Sequence, residues 1–345
     1  MTQPSPTPTL PAADMTGTPL FAVQGLGVEF GPARSPVRVV DDVSFTVGHN
    51  ETVGLVGESG SGKTVSCLAA LGLIADQGGR RVSGSVHLDG TDLTALSDRA
   101  LRKVRGDRIG MIFQQPMRSL DPAFTVGDHL VETLRRHRGM DRRSAWKRAV
   151  ELLDRVHIAD AAKRAQDYPH QFSGGMCQRV MIAVALACDP ELLIADEPTT
   201  ALDVTVQARI LALLREIREE SGISVVLISH DLGVIAEVCE RVVVMYAGQV
   251  VERAAVDDLF LGPRHPYTAG LLASIPQVGR GRRLEAIPGR VPPPEAMPAG
   301  CRFHPRCAHF ATPRCDGPPD LVRVGCSEAR CHRATELTLE GVRGR

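Results

Sequence analysis

Apolar residues fall in short runs early in the chain, at helical spacing in the middle, and in short runs again beyond it. Between 21 and 56 the runs 21–23, 37–40 and 43–47 alternate with turn residues, which predicts a β-rich flank. Thr52-Val53-Gly54-Leu55-Val56 is almost wholly apolar, as a strand buried on both faces would be. An Ala- and Leu-rich helical stretch then runs through Ile74, and 82–88 followed by Asp89-Gly90 reads as a strand and tight turn. From 95 to 165 helix formers dominate, with charges at helical spacing as in 142–157. Leu192-Leu193-Ile194-Ala195 is a buried strand that ends in Asp196-Glu197. Residues 206–220 put Ile210, Leu213, Leu214 and Ile217 on one face of an amphipathic helix, stopped by Ser221-Gly222. A strand over 223–229 follows, ending at His230. Strands alternating with helices imply an α/β fold with a parallel sheet and ligand at the strand ends.

Composition narrows the setting. The chain has 345 residues and can bury a substantial core. Lys plus Arg and Asp plus Glu both number 40, so no global field points to nucleic acid or anionic lipid. Lys63, Lys103, Lys147 and Lys163 are the only lysines, and the arginine excess reads as compositional habit. No apolar run approaches the roughly 18–20 residues that span a bilayer. Residues 1–19 are rich in Pro and Thr and lack Lys and Arg, which predicts a disordered lead instead of a signal peptide. The expectation is a cytoplasmic protein whose membrane contact comes through a partner. No internal repeat is present, so one such α/β unit is expected and not a tandem pair.

The chemistry is concentrated in two places. Gly57-Glu58-Ser59-Gly60-Ser61-Gly62-Lys63-Thr64 is a complete phosphate-binding loop between a strand and a helix. Its glycines let backbone N–H groups close on phosphate oxygens while the helix points its positive end at them. Lys63 is placed for the terminal phosphates and the Thr64 hydroxyl for Mg²⁺. Asp196 at the strand tip is placed for the Mg²⁺ shell, and Glu197 to accept a proton from an attacking water. A bare glycine-rich turn, or two acids capping a helix, would explain either run alone but not both in this order.

Together with Gln171-Phe172-Ser173-Gly174-Gly175-Met176, Phe113-Gln114, Asp203 and His230, these residues resemble the ATPase subunit of an ABC transporter over about 20–275. The resemblance makes Ser173, Gly174 and Gly175 the signature offered to a partner's ATP, and Asp203 the D-loop acid. It makes His230 a catalytic switch histidine, and Gln114 the glutamine that reads the γ-phosphate and Mg²⁺. Phe30 falls where the family places an aromatic against adenine. The family works as a head-to-tail pair, so each ATP would lie between one Lys63 loop and the other subunit's Ser173 segment. The implied fold is a P-loop NTPase core with a β-rich flank and a helical subdomain at about 115–175. The domain would span 20–262, with a small Pro- and Cys-rich extension over 263–345.

The run Met111 through Pro122 is similar to that of the dipeptide and oligopeptide importer branch, where it meets a coupling helix of a membrane subunit. Gln115, in place of the usual acid, and Cys177, in place of the usual Arg, depart from that branch. The resemblance implies a second ATPase subunit (a heterodimer is favoured), two membrane permeases and an extracytoplasmic solute-binding protein. The chain would then sit at the cytoplasmic face of the membrane. Nickel or another small solute is the alternative cargo, and a soluble non-transport ABC ATPase the alternative class.

From His265-Pro266-Tyr267-Thr268 onward, through Ile287-Pro288-Gly289 and Pro292-Pro293-Pro294, the composition is too rich in Pro and Gly for regular helix. Five of nine cysteines follow, Cys301, Cys307, Cys315, Cys326 and Cys331. Clustered cysteines in a reducing setting bind metal more often than they form disulfides. The resemblance to the branch's extension implies a [4Fe-4S] cluster on Cys301, Cys307, Cys315 and Cys331, with Cys326 spare. Zinc with His304, His309 or His332, or no metal, are the alternatives; a metal here would staple a segment too small for a core. Cys67, Cys177, Cys188 and Cys239 sit in apolar or helical contexts and are expected to pack.

Overall fold

The computed structural model describes residues 18–200, 202–275 and 286–342. The lead expected over 1–19 lies outside the described residues except for its last two. The described strands in the first half are β1 (Phe21–Phe30), β2 (Val37–Val47), β3 (Thr52–Val56), β4 (Gly79–Leu88), β5 (Thr91–Asp92) and β6 (Ile109–Ile112). Those that follow are β7 (Leu192–Asp196), β8 (Ser224–Ser229), β9 (Arg241–Tyr246), β10 (Gln249–Ala255), β11 (Val322–Val324) and β12 (Ser327–Ala329).

The flank is an antiparallel sheet in the order β2-β1-β4-β5. Phe21 stands opposite Val47 on one side and Leu88 on the other. Val23, Leu26, Val28, Val43, Phe45 and Val86 are fully or almost fully buried from its strands. They pack with Cys67, Leu68 and Leu71, from and just after the helix Lys63–Ala70 that leaves the phosphate loop. The second sheet runs β11-β12-β10-β9-β3-β8-β7-β6. Its β9-β3-β8-β7-β6 portion is parallel. Every residue of β3, β7 and β8 is buried, which is why these strands read as continuous apolar runs and not as alternation.

The helical block is carried by Val126–Arg138, Arg142–Arg155 and Gly174–Leu186. The first two start at side-chain caps: Thr125 accepts from the Asp128 N–H, and Asp141 from those of Arg143 and Ser144. Leu130, Leu134, Leu152, Leu153, Val180 and Ile182 form their shared interior. β6 lies inside the stretch that the pattern assigns to helices. Four residues, one of them Gly110, are too few to show a period, and only pairing with β7 makes them a strand.

The segment from His265 corrects one expectation. Pro266–Ala273 is a helix, with Pro266 in its first turn and His265 Nδ1 accepting from the Tyr267 N–H at 3.0 Å. Proline at the first helical position removes an N–H that had no partner anyway. Residues 286–342 do lack α-helix among the described residues, and their one hairpin, β11–β12, joins β10 through Glu252 opposite Ala329. Among the described residues no helix is long and apolar enough to cross a membrane.

Candidate functional site

The carboxyl ends of β3, β6, β7 and β8 lie side by side, and every catalytic candidate sits at or just past one of them. After β3 the chain turns at Gly57, whose φ of 150° and whose closeness to the Met245 carbonyl leave no room for a Cβ. Gly62 caps the helix at φ 96°. Lys63 is buried and donates to the Gly57 carbonyl at 2.7 Å, the Glu58 carbonyl at 3.1 Å and Ser61 Oγ at 3.4 Å. Burial pushes its ammonium pKa down, against the attraction of Glu197, Asp196 and Glu58. The loop is thus closed around its own cation, which is poised to exchange these neutral acceptors for phosphate oxygens.

Thr64 Oγ1 donates to Asp196 Oδ1 at 3.0 Å, joining the helix start to the tip of β7. Asp196 is 2% exposed, and burial raises its carboxyl to about 6 against the Thr64 hydrogen bond and Lys63. A buried carboxylate and a hydroxyl facing each other are oxygen donors suited to a hard divalent cation, so the pair fits Mg²⁺. Among the described residues the Gln114 amide bonds not to Asp196 but to Glu197.

Glu197 is the hub. It adopts a left-handed backbone at φ 47°, an uncommon state for a non-glycine residue that recurs at functional sites. Its Oε2 accepts from Gln114 Nε2 and from Thr200 Oγ1, each at 2.8 Å, and His230 Nδ1 lies 3.5 Å from Oε1. Burial alone would raise its pKa. The Thr200 hydroxyl, His230, Gln114 and Lys63 together outweigh that and hold it below the usual glutamate value. A carboxylate kept ionised at a strand tip, beside the phosphate loop, is able to orient and deprotonate a water. Thr200 is the residue that sequence reasoning missed; its hydroxyl three positions after Glu197 was the available signal.

Other expected residues are not brought to this point. Ser173 caps the helix Gly174–Leu186 and accepts from the Met176 N–H at 3.3 Å. Neither Ser173, Gly174 nor Gly175 bonds to the phosphate loop among the described residues; Ser173 and Gly174 are exposed. Asp203 likewise caps Val204–Ser221, accepting from the Val206 N–H at 2.9 Å. The Phe30 ring ends β1 half-buried over the Gly79 backbone. Cys177, the departure beside the signature, points into the core and bonds the Pro169 carbonyl at 3.4 Å, away from the exposed face. Cys67, Cys188 and Cys239 are buried as expected.

The cysteine tail is a separate place. Cys301, Cys307, Cys315 and Cys331 line one cavity with Phe303, Phe310 and Leu337. Burial raises the thiols of Cys301, Cys307 and Cys331, the last to about 11, and neighbouring thiols of the set push the same way. Cys326 is exposed in the β11–β12 turn and outside the cavity. The four cysteines expected to carry a cluster are not gathered into a metal-holding group. Among the described residues no three His, Cys, Asp or Glu side chains are disposed to hold an ion. The cavity, about 20 Å³, has room for about one water. His304, His309 and His332 also line it; His304 Nδ1 and His332 Nε2 pair with the carbonyls of Cys301 and Gly317, which leaves each the other ring nitrogen.

Residues 40–200 match the family described as ABC transporter, and 251–315 match the oligopeptide/dipeptide transporter C-terminal region. A relative from Brucella abortus (strain 2308) is 52% identical over 315 residues, covering 91% of this chain and 94% of its own. One from Brucella melitensis biotype 1 is 49% identical over 337 residues, with 94% and 99% covered. Both carry the name "Putative peptide import ATP-binding protein". Among solved structures, a dimeric ATP-binding cassette in a post-hydrolysis state with ADP and Pi is 31% identical, with a TM-score of 0.60 over 68% of this chain and 98% of its own. With the Thr64–Asp196 bridge and Glu197 at the same strand tips, this chain belongs to the ATP-binding subunits of ABC transporters, in the branch that carries the oligopeptide/dipeptide C-terminal region.

Proposed function

We propose that this chain is the ATP-hydrolysing motor of a membrane importer of di- and oligopeptides. The observation that carries the reading is the convergence on Glu197: Gln114, Thr200 and His230 all address one ionised carboxylate beside Lys63 and the Thr64–Asp196 pair. Lys63 binds the β- and γ-phosphates, and the backbone N–H groups of 57–64 close around them. Mg²⁺, held by Thr64 and Asp196, would neutralise charge on the phosphate oxygens. Glu197 takes the proton of the attacking water, while His230 and Gln114 keep the carboxylate turned toward it. Ser173 and Gly174 lie exposed, and neither they nor Gly175 bonds to this loop, which supports an arrangement in which they complete a partner subunit's site.

The partners follow from that arrangement: a second ATPase, favoured as a related chain, two permeases and an extracytoplasmic binding protein. Phe113, Met117 and Phe124 are exposed apolar residues within the segment that carries Gln114, which suits contact with a permease coupling helix at the cytoplasmic face. Gln114 then links γ-phosphate occupancy to the transport path. The relatives' naming and the C-terminal region favour peptides over nickel.

For the extension the reading is a [4Fe-4S] cluster on Cys301, Cys307, Cys315 and Cys331. That these four thiols line one apolar-walled cavity supports it, and seating a cluster would require the cavity to open, since it now has room for about one water. The cluster's contribution would be to staple the extension. Anaerobic purification with iron, sulfide and zinc analysis tests this; a metal-free folded chain removes it. The motor reading is tested by reconstituting the chain with its permeases and following peptide uptake against ATP turnover. Uptake without ATP consumption, or turnover that no peptide-loaded binding protein stimulates, would refute it.

A further inference from the structure

The phosphate loop does not stand free of the C-terminal extension. Glu58, its second residue, is held by two side chains that belong to no nucleotide-binding motif. Arg306 grips the carboxylate with both terminal nitrogens, Nη1 to Oε2 at 2.6 Å and Nη2 to Oε1 at 2.9 Å. The Glu58 backbone N–H donates to the Tyr267 hydroxyl at 2.8 Å. Exposed ion pairs of this kind contribute little. This one differs, because the Arg306 side chain is only 4% exposed and the contact is bidentate. Arg306 is itself fixed: Nε donates to the Pro288 carbonyl at 2.8 Å, and the guanidinium lies 5.7 Å from the centre of the Tyr246 ring. Tyr246, Tyr267 and Phe303 pack with ring centres 4.7 to 5.5 Å apart, and all three are buried. Phe303 also walls the cysteine cavity, and Arg306 precedes Cys307.

A carboxylate next to a polyphosphate site repels its ligand unless a cation neutralises it. A loop that binds through backbone N–H groups also gains affinity when its conformation is set beforehand. Arg306 does the first for Glu58, and Arg306 with Tyr267 does the second. We propose that Arg306 and Tyr267 are positioning residues of the nucleotide site, acting through Glu58, so that the extension sets how tightly the phosphate loop takes Mg·ATP. The inference rests on residues 57–64 being the ATP loop.

The test is equilibrium binding of a fluorescent ATP analogue with Mg²⁺ to the full chain, beside thermal melts. Wild type and Lys63→Ala come first: equal affinities would overturn the loop as the nucleotide site, whatever Arg306 does. Given a difference there, Arg306→Met is expected to weaken binding roughly tenfold, and Arg306→Lys to lose less. Adding Glu58→Gln to Arg306→Met is expected to recover part of the loss, because the unpaired carboxylate is then gone. A residue that merely supported the fold would give a double variant no tighter than Arg306→Met. Wild-type affinity in folded Arg306→Met, or no recovery in the double variant, overturns the proposal. Should Arg306→Met fail to fold, Tyr267→Phe decides, since it keeps the ring and removes only the acceptor. A roughly threefold weakening supports the proposal, and unchanged affinity overturns it.

Discussion

At the nucleotide end, functional side chains ride on regular backbone; in the extension, backbone is hung on side chains. Glu197 follows β7 and His230 follows β8, so their spacing is set by ladder hydrogen bonds between parallel neighbours. Residues 286–342 have only the short β11–β12 hairpin on β10 as such a frame. Three arginines add side-chain anchors to the core. Arg302 reaches Asp41 and the Ala247 carbonyl, Arg306 reaches Glu58, and Arg330 reaches Asp42 and the carbonyls of Val250 and Pro319. The guanidinium fork suits this use, since it satisfies several acceptors from one buried stem. A ladder tolerates loss of one side chain because its bonds are main-chain. An anchor does not, because a removed guanidinium leaves several acceptors unpaired at once.

That contrast can be broken from either side. The largest expected effect is at the strand tips: Glu197→Gln should lower ATP turnover roughly 10²–10⁴-fold while nucleotide binding persists. Single-turnover hydrolysis in the assembled complex measures it, and near-normal turnover would remove Glu197 as the base. Next is an anchor: Arg330→Met should destabilise the fold by about 2 kcal/mol, read as a lower denaturant midpoint and faster hydrogen exchange in 322–329. An unchanged midpoint would mean that the hairpin is held by its pairing with β10 alone.

A pH series sharpens the comparison further. The Asp196 carboxyl is raised to about 6 by burial, so below that pH its protonated form predominates without a cation, and cation binding must there displace the proton. Mg²⁺-dependent nucleotide binding should therefore weaken as pH falls through about 6, by about tenfold per pH unit below it. Glu197 is held in the opposite direction and stays ionised across that window. A flat profile from pH 7 to 5 would show that Asp196 does not carry the cation. The smallest effect is at Cys326, which touches neither cavity nor core: Cys326→Ser should leave stability within about 0.5 kcal/mol and metal content unchanged. Loss of metal in that variant would redraw the cysteine set.

Much of the core was legible because its signals are local. The phosphate loop is eight consecutive residues between a strand and a helix, and buried parallel strands advertise themselves as unbroken apolar runs. β6 was not legible, being too short to carry a period within a block of helix formers. The helix Pro266–Ala273 was hidden by its first-turn proline. In the extension the four cysteines named from the sequence line one cavity, but no metal-holding group is disposed there among the described residues, and the anchoring arginines were invisible among many others.

The sequence by itself determined which residues could do chemistry and much of the order of strands and helices that carries them, since turn geometry, helix caps and apolar period are properties of neighbouring residues. Only the tertiary structure decided what meets what. Gln114 and Glu197 are 83 positions apart, and Thr64 and Asp196 are 132 apart, yet strand order in the parallel sheet makes them bonded neighbours. Glu58 and Arg306, 248 positions apart, meet because the chain returns past β10 to close over the phosphate loop. Contacts at such separations depend on how layers pack, a property of the whole fold that no local pattern encodes.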